Sequence, residues 1–159
     1  MARTRTFDPM TLLDTAVELF WVKGYGNCSV DDVVAASGVA RYGIYQQFGD
    51  KNALYRAALS RYREQAVTML NNALNTPNGG FSEICDYFAS LSASLEQGDR
   101  RGCLASQAAI DRAQDDPQVA DIVAEIMADL RAAFASAVAV GLARGELREL
   151  PPDLSLIHI

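Results

Sequence analysis

Apolar residues recur at intervals of three and four along most of the chain, which is the periodicity of amphipathic α-helices. The first predicted helix begins at Asp8-Pro9. An aspartate accepts hydrogen bonds from free backbone N–H groups, and proline at the first helical position has none to leave unpaired. Lys23-Gly24 supplies a cation and a left-handed stop, so the helix is predicted over 9–23. Its apolar positions are Leu12, Leu13, Ala16, Val17 and Phe20.

Two short helices are predicted next. Ser29, with Asp32 three residues later, resembles a capping box, and Ser37-Gly38 ends the second helix. The third helix is predicted over about 40–48. Three of its residues are expected to face the core: Ile44, Tyr45 and Phe48.

Four longer segments complete the pattern, and none of the chain alternates apolar and polar residues for long enough to predict a strand. The expected fold is therefore all-α. The predicted starts and stops are Asp50 to Thr76-Pro77-Asn78-Gly79-Gly80, Ser82 to Gly98, Cys103 to about Ala113, and Asp116-Pro117 to Arg144-Gly145.

The helix pair from Ser29 to Phe48 has the dimensions of a DNA-reading helix-turn-helix, whose second helix places its N-terminal half in the major groove. The outward side chains are Arg41 and Tyr42 in the first turn and Gln46 and Gln47 in the next. Arginine suits the paired acceptors of guanine, and glutamine suits adenine. Lys51 is placed for a backbone phosphate. From geometry alone, an ordinary pair of helices in a bundle is the alternative.

The stretch from Leu12 to Leu59 resembles the DNA-binding domain of the TetR family of transcriptional regulators. The matching segments are LLDTAVELFWVKGY, SVDDVVAASGV and IYQQFGDKNALY. The resemblance implies that Tyr45 and Lys51 hold phosphate. Tyr42-Gly43 departs from the family, where many members have Gly followed by Thr or Ser, and we expect Tyr42 to alter base preference. The predicted DNA-binding residues are Arg41, Tyr42, Gly43, Tyr45, Gln46, Gln47 and Lys51.

The resemblance also implies a division of labour. Residues 1–50 are expected to form the helix-turn-helix domain, and residues 51–159 an incomplete helical domain for ligand binding and dimerisation. The implied function is a ligand-responsive repressor that binds a palindromic double-stranded operator as a homodimer. The three cysteines, odd in number and far apart, suggest no disulfide framework and so indicate the cytoplasm. The alternative is a helical small-molecule-binding or interaction module without DNA-regulatory activity.

An apolar stripe in the second half is the candidate site for an unknown small-molecule effector. An aromatic and aliphatic stripe of this kind lines a cavity in some proteins, and in others it is plain core. The candidate ligand-binding residues are Tyr87, Phe88, Leu91, Leu95 and Met127.

The segments RRGCLASQAAIDRAQDDPQVADIV and ARGELREL are similar to the ligand domains of one TetR subgroup, which normally continue for tens of residues further. The residues from Leu154 to Ile159 resemble no family segment. We therefore expect a truncated regulator with a foreign tail.

Charge is distributed unevenly along a chain of 159 residues whose formal net charge is -6. Residues 1–70 carry eight basic and seven acidic side chains, and residues 71–159 carry six against thirteen. The near-neutral first part is able to approach DNA, while the acidic second part discourages indiscriminate binding. Arg3 and Arg5 are either a minor-groove arm or a solvated terminus.

The chemistry-bearing residues indicate no enzyme, no metal site and no cofactor. The single histidine, His158, lies in the unusual tail, and the three cysteines lack metal-ligand or disulfide spacing. Cys103 is either a redox-sensitive thiol at a helix start or a small buried side chain. Trp21 is expected to pack against the effector domain. The longest mostly apolar run, 132–143, is shorter than a membrane span needs, so we expect no membrane association.

Overall fold

The structure is a computed structural model that describes residues 7–76 and 79–148. Within those ranges it contains α-helices and no strand, which confirms the all-α prediction. The seven helices are α1 (Pro9–Asn27), α2 (Val30–Ser37), α3 (Arg41–Phe48), α4 (Lys51–Leu74), α5 (Phe81–Glu96), α6 (Leu104–Asp111) and α7 (Pro117–Ala143).

Acidic caps begin three of these helices, as the sequence predicts. Asp8 accepts hydrogen bonds from the backbone N–H groups of Met10 and Thr11 at 3.1 and 3.2 Å. Asp50 accepts one from the N–H of Ala53 at 2.7 Å, and Asp116 accepts two at the start of α7, at 3.1 and 3.3 Å. Each cap satisfies N–H groups that have no partner inside the helix.

Three helices have boundaries that differ from the prediction. Gly24 leaves helical geometry as expected, at φ 73° and ψ 164°, but one further turn continues the helix to Asn27. α5 starts at Phe81 and not at Ser82, because the N–H of Phe81 finds an acceptor in the Glu146 carboxylate at 3.0 Å. α6 is shorter than predicted at both ends.

The chain divides into two compact units, to both of which α4 and α7 contribute. The first unit holds the described residues up to Ala66 together with Arg100–Met127, and the second holds Val67–Asp99 and the described residues from 128 onward. The predicted functional division at residue 50 stays a prediction. Buried side chains of the first unit include Leu12, Ala16, Val17, Phe20, Val30, Val33, Ile44, Leu54, Tyr55, Ala58, Leu59, Leu104, Ala105, Val119 and Ile126.

The second unit has a smaller core, made of Leu70, Leu74, Ala133 and Ala137 with Ile84, Tyr87, Leu130 and Phe134 packed against it. α5 contributes no buried residue to it. Phe88, Leu91 and Leu95 are 55%, 41% and 59% exposed. For these three side chains the plain-core interpretation of the α5 stripe is wrong, because no described element covers that face.

α7 is long and apolar enough to cross a membrane by length and composition, with a mean hydropathy of 1.6 over its best 18-residue window. The expectation that no segment reaches that length is therefore wrong for α7, because it ended the apolar run at the charged Arg131. Its residues nevertheless separate into faces. Asp121, Glu125 and Asp129 recur every four residues, and Val123 and Ile126 are buried between them. This amphipathic pattern is typical of a helix in a globular protein.

Several sequence-based expectations lie outside the described residues. They concern Arg3 and Arg5, the Pro77-Asn78 turn, His158 and the tail from Leu154.

Candidate nucleic-acid interface

Local residues cap α2 at both ends. The Ser29 hydroxyl accepts a hydrogen bond from the N–H of Asp32 at 3.1 Å, and the Asp32 carboxylate accepts one from the N–H of Ser29 at 2.7 Å. This confirms the predicted capping box. At the other end Gly38 adopts a left-handed φ of 70°, and its N–H donates to the carbonyl of Val34 at 2.9 Å. The tight turn required between two DNA-reading helices is therefore present.

α3 is held to the core by a single deeply buried side chain. Ile44 is 1% exposed, whereas Tyr42 is 75% exposed and Gln46 and Gln47 are also on the surface. The prediction that Tyr45 faces inward is wrong, because Tyr45 is 41% exposed. A helix of two turns buries only a narrow stripe, which Ile44 fills. The Tyr45 side chain thus reaches the surface, as the phosphate role implied by the resemblance requires.

The N-terminus of α3 lacks a side-chain cap. Its N-cap residue is Ala40, whose side chain has no acceptor. Helix N-termini carry unsatisfied N–H groups and a partial positive charge, which together favour phosphate. Arg41 and Tyr42 occupy this first turn. The local sequence therefore leaves the end of α3 that would enter the groove open to an anion.

Two ion pairs tie α2 to its neighbours. Arg41 pairs with Asp31 on an exposed surface, where such pairs are worth at most about 1 kcal/mol. Releasing the Arg41 guanidinium to a guanine therefore costs little. Lys23 of α1 pairs with Asp32 at 2.6 Å. Hydrogen bonds from Lys23, and then from Ser29, hold the pKa of the Asp32 carboxyl well below its usual value.

Gly43 makes room for an aromatic ring on the recognition helix. A β-carbon at this position would lie 3.1 Å from the Phe7 ring and 3.5 Å from a methyl group of Val39. Phe7 therefore packs directly on the backbone of α3. This contact explains why a residue that costs about 1 kcal/mol in helix propensity is tolerated in so short a helix.

Lys51 begins α4, on the far side of the Gly49 turn from α3. Its ammonium nitrogen lies 4.1 Å from the centroid of the Tyr25 ring. The ring attracts the ammonium through its negative face, while the ammonium remains able to bind an anion.

Trp21 packs against residues that follow the helix-turn-helix, as predicted. Its ring meets Tyr62 edge to face at 5.1 Å, and its indole N–H donates to the carbonyl of Gly102 at 3.0 Å. The Arg101 guanidinium lies 4.3 Å from its centroid. Nearby, the thiol of Cys103 is partly buried. Burial opposes its ionisation, but hydrogen bonds, first from Ser106 and then from Tyr62, leave the pKa of Cys103 below its ordinary value.

The predicted ligand-binding residues belong to two compact units. Tyr87 and Phe88 meet Phe134 at ring-centroid distances of 5.5 and 5.9 Å, while Leu91 and Leu95 lie further along α5. Met127 belongs to the other compact unit. A separate open cleft of about 440 Å³ in the first unit is lined by Ala53, Arg56, Gln118, Asp121 and Ile122.

Sequence reasoning missed four residues around the interface: Phe7, Tyr25, Asp31 and Arg112. Only Asp31 had an available signal, because it lies in the first turn of α2 just ahead of the reading helix. The other three reach the interface through contacts between distant parts of the chain, which helical periodicity does not encode.

The chain is similar to known regulators of transcription. Residues 12–58 match the family model described as bacterial regulatory proteins, tetR family. The chain is 29% identical over 121 residues to the uncharacterized HTH-type transcriptional regulator YezE of Bacillus subtilis (strain 168), covering 76% of this chain and 62% of that protein. It is 28% identical over 159 residues to the HTH-type transcriptional repressor ComR of Escherichia coli (strain K12), covering 99% of this chain and 74% of that protein.

Among solved structures, it is similar to the TetR family transcriptional regulator CifR, in a cysteine mutant complexed with 26bp double-strand operator DNA. The TM-score is 0.73 at 27% identity, over 94% of this chain and 79% of that one. Compared with YezE, the chain spans less than two thirds of that protein's length. With its helix-turn-helix and these similarities, residues 12–58 form a DNA-binding domain of the TetR family, and the chain as a whole is similar to TetR-family transcriptional regulators.

Proposed function

We propose that the chain regulates transcription by binding operator DNA through α2 and α3. The observation that carries the proposal is the outward face of α3, where Tyr42, Tyr45, Gln46 and Gln47 are exposed while Ile44 anchors the helix. The similarity to CifR, which was solved on a duplex operator, supports the same kind of partner for this chain.

The side chains of α3 divide into base readers and backbone contacts. Arg41 is proposed to bind guanine through its two parallel N–H donors, and Gln46 and Gln47 to bind adenine edges. Tyr45 and Lys51 are proposed to donate to phosphates, which fixes the register of the helix without reading sequence. The uncapped start of α3 adds a further attraction for phosphate beside Arg41 and Tyr42, whereas the N–H of Gly43 already donates to the carbonyl of Ala40 at 2.9 Å.

Binding is proposed to require a homodimer on a palindromic operator. Two recognition helices enter successive major grooves only when they lie about 34–36 Å apart, which is one turn of DNA. The proposed partners are duplex operator DNA and a second copy of the chain, and the proposed location is the cytoplasm. Repression is the proposed outcome, supported by the similarity to the transcriptional repressor ComR.

Regulation is proposed to come from a small molecule held among α4 to α7. A ligand that binds better to one conformation shifts the population toward it, and the difference in DNA affinity between conformations is the signal. The proposed lining residues within the second unit are Tyr87, Phe88, Leu91 and Leu95. Of these, Phe88, Leu91 and Leu95 present an exposed apolar surface on α5 that an apolar ligand would cover.

A gel-shift assay with the DNA flanking the gene, paired with light scattering, tests the proposal. We expect a low-salt shift and a dimer mass on the duplex. Lys51→Ala should weaken binding to every sequence, whereas Arg131→Ala, which removes the same charge from an exposed position on α7, should not. A monomer that gives no shift at low salt would instead support a helical ligand-binding module without DNA-regulatory activity.

A further inference from the structure

Two cationic side chains lie over one aromatic ring, that of Tyr25. The ammonium of Lys51 lies 4.1 Å from its centroid, and the guanidinium carbon of Arg112 lies 4.4 Å from it. The Tyr25 hydroxyl also donates a hydrogen bond to the side-chain carbonyl of Asn52. The ring therefore joins the last turn of α1, the start of α4 and the residue that follows α6.

The core prevents this ring from moving freely. Tyr25 meets Tyr55 edge to face at 4.9 Å, and Tyr55 is only 2% exposed. Phe20, which is 1% exposed, lies 6.4 Å from Tyr25 on a nearly parallel plane. A ring packed in this way gives a cation a fixed place to bind, and the energetic preference of a cation for a ring face holds the cation there.

A ring in this position restricts the side chain of Lys51. A lysine side chain has a flexible four-carbon stem and loses considerable rotamer freedom when its ammonium is held in one place. A ring that already restricts the ammonium removes part of that cost before DNA arrives. We propose that Tyr25 is a positioning residue, which holds Lys51 ready for its phosphate contact; this inference rests on the proposed function.

Arg112 completes the arrangement from a distant part of the chain. Besides contacting the ring, it donates a hydrogen bond to Asn52 at 3.3 Å and pairs with Asp116 at 3.9 Å. Its Nε atom is buried and has no hydrogen-bond partner among the described residues. Arg112 therefore holds Asn52 and the ring together, and the turn between α6 and α7 is linked to the proposed DNA contact through Tyr25.

A double-mutant cycle on a short mixed-sequence duplex at low salt tests this role. Tyr25→Leu removes the ring face, and we expect it to weaken binding about two- to fivefold, the effect of one cation–π contact at a partly exposed site. The same change in a Lys51→Ala background should have no effect on binding. Tyr25→Phe keeps the ring and should bind like the unsubstituted chain.

The cycle distinguishes a failure of the proposed function from a failure of the positioning role of Tyr25. If the unsubstituted chain does not bind duplex DNA, both the proposed function and the positioning role are overturned. If it binds, and the losses from Tyr25→Leu and Lys51→Ala add, the positioning role alone is wrong, because a ring that acts only on stability would weaken binding with or without Lys51.

A measurement on the unsubstituted chain guards against a Tyr25→Leu variant that fails to fold. The ε-methylene group of Lys51 is bonded to the ammonium nitrogen that lies 4.1 Å from the ring centroid, so we expect the ring current to shift its proton NMR signals upfield. A shift that persists when the duplex is added supports the positioning role. Its disappearance on DNA binding overturns it, because the ring would then not hold Lys51 at the phosphate.

Discussion

Phe20 in the first compact unit is 1% exposed and meets the buried Tyr55 edge to face at 4.9 Å, whereas Phe88 in the second unit is 55% exposed beside Phe134. Both phenylalanines lie on apolar stripes of helical spacing. The stripe of α1 is covered by residues of several other helices, but that of α5 is not. An apolar stripe therefore predicts a helix with one apolar face, and burial follows only where the described chain supplies a cover.

The largest expected effect is on stability and contrasts the two phenylalanines. Phe20→Ala should lower the free energy of unfolding by about 3–5 kcal/mol, because it empties a packed site. Phe88→Ala should cost about 1 kcal/mol, the worth of its exposed ring contacts. Urea unfolding followed by Trp21 fluorescence and by circular dichroism measures both. Equal losses would contradict the difference in packing between the units.

The next effect concerns base reading in the first unit. Arg41→Ala should cost about 1–3 kcal/mol of binding on the preferred operator and little on random DNA, because a bidentate contact to guanine is lost. Lys51→Ala should weaken binding to both duplexes. It should also lower the salt dependence of the binding constant by about one released counterion. Titrations at several salt concentrations measure this. If Arg41→Ala loses the same binding free energy on both duplexes, Arg41 does not contact a base.

A smaller effect concerns the pH dependence of the capping box. The pKa of Asp32 is depressed in the folded chain, so its contribution to stability is present above the unfolded value of about 3.9 and is lost as the pH falls below it. Asp32→Asn should therefore flatten the acid limb of the curve of unfolding free energy against pH. Urea midpoints from neutral pH to about pH 2.5 measure the slope. Parallel curves for the two proteins would show that the pair with Lys23 adds nothing.

The smallest effect is at Gly43. Alanine there gains up to about 1 kcal/mol of helix propensity but brings its β-carbon to 3.1 Å from the Phe7 ring. We expect Gly43→Ala to stabilise a Phe7→Ala chain more than the unsubstituted one. Thermal unfolding of the four chains measures the difference. The same gain in both backgrounds would mean that Phe7 does not press on α3.

These contrasts also show what the sequence can and cannot predict. The caps at Asp8, Ser29 and Asp116 and the Gly38 turn depend on neighbouring residues only, and the sequence predicts them correctly. The inward placement of Tyr45 fails, because periodicity does not tell how wide a stripe so short a helix buries. The Tyr25 contacts with Lys51 and Arg112 lie beyond sequence reasoning, since they join residues 26 and 87 positions apart.

The central claim is that α3 is the surface that meets DNA. An amide NMR titration with a short duplex tests it residue by residue in both units. We predict that the signals of Tyr42, Gln46 and Gln47 move most, together with that of Lys51, while those of α5 stay in place. Shifts confined to α5, with α3 unchanged, would contradict the claim.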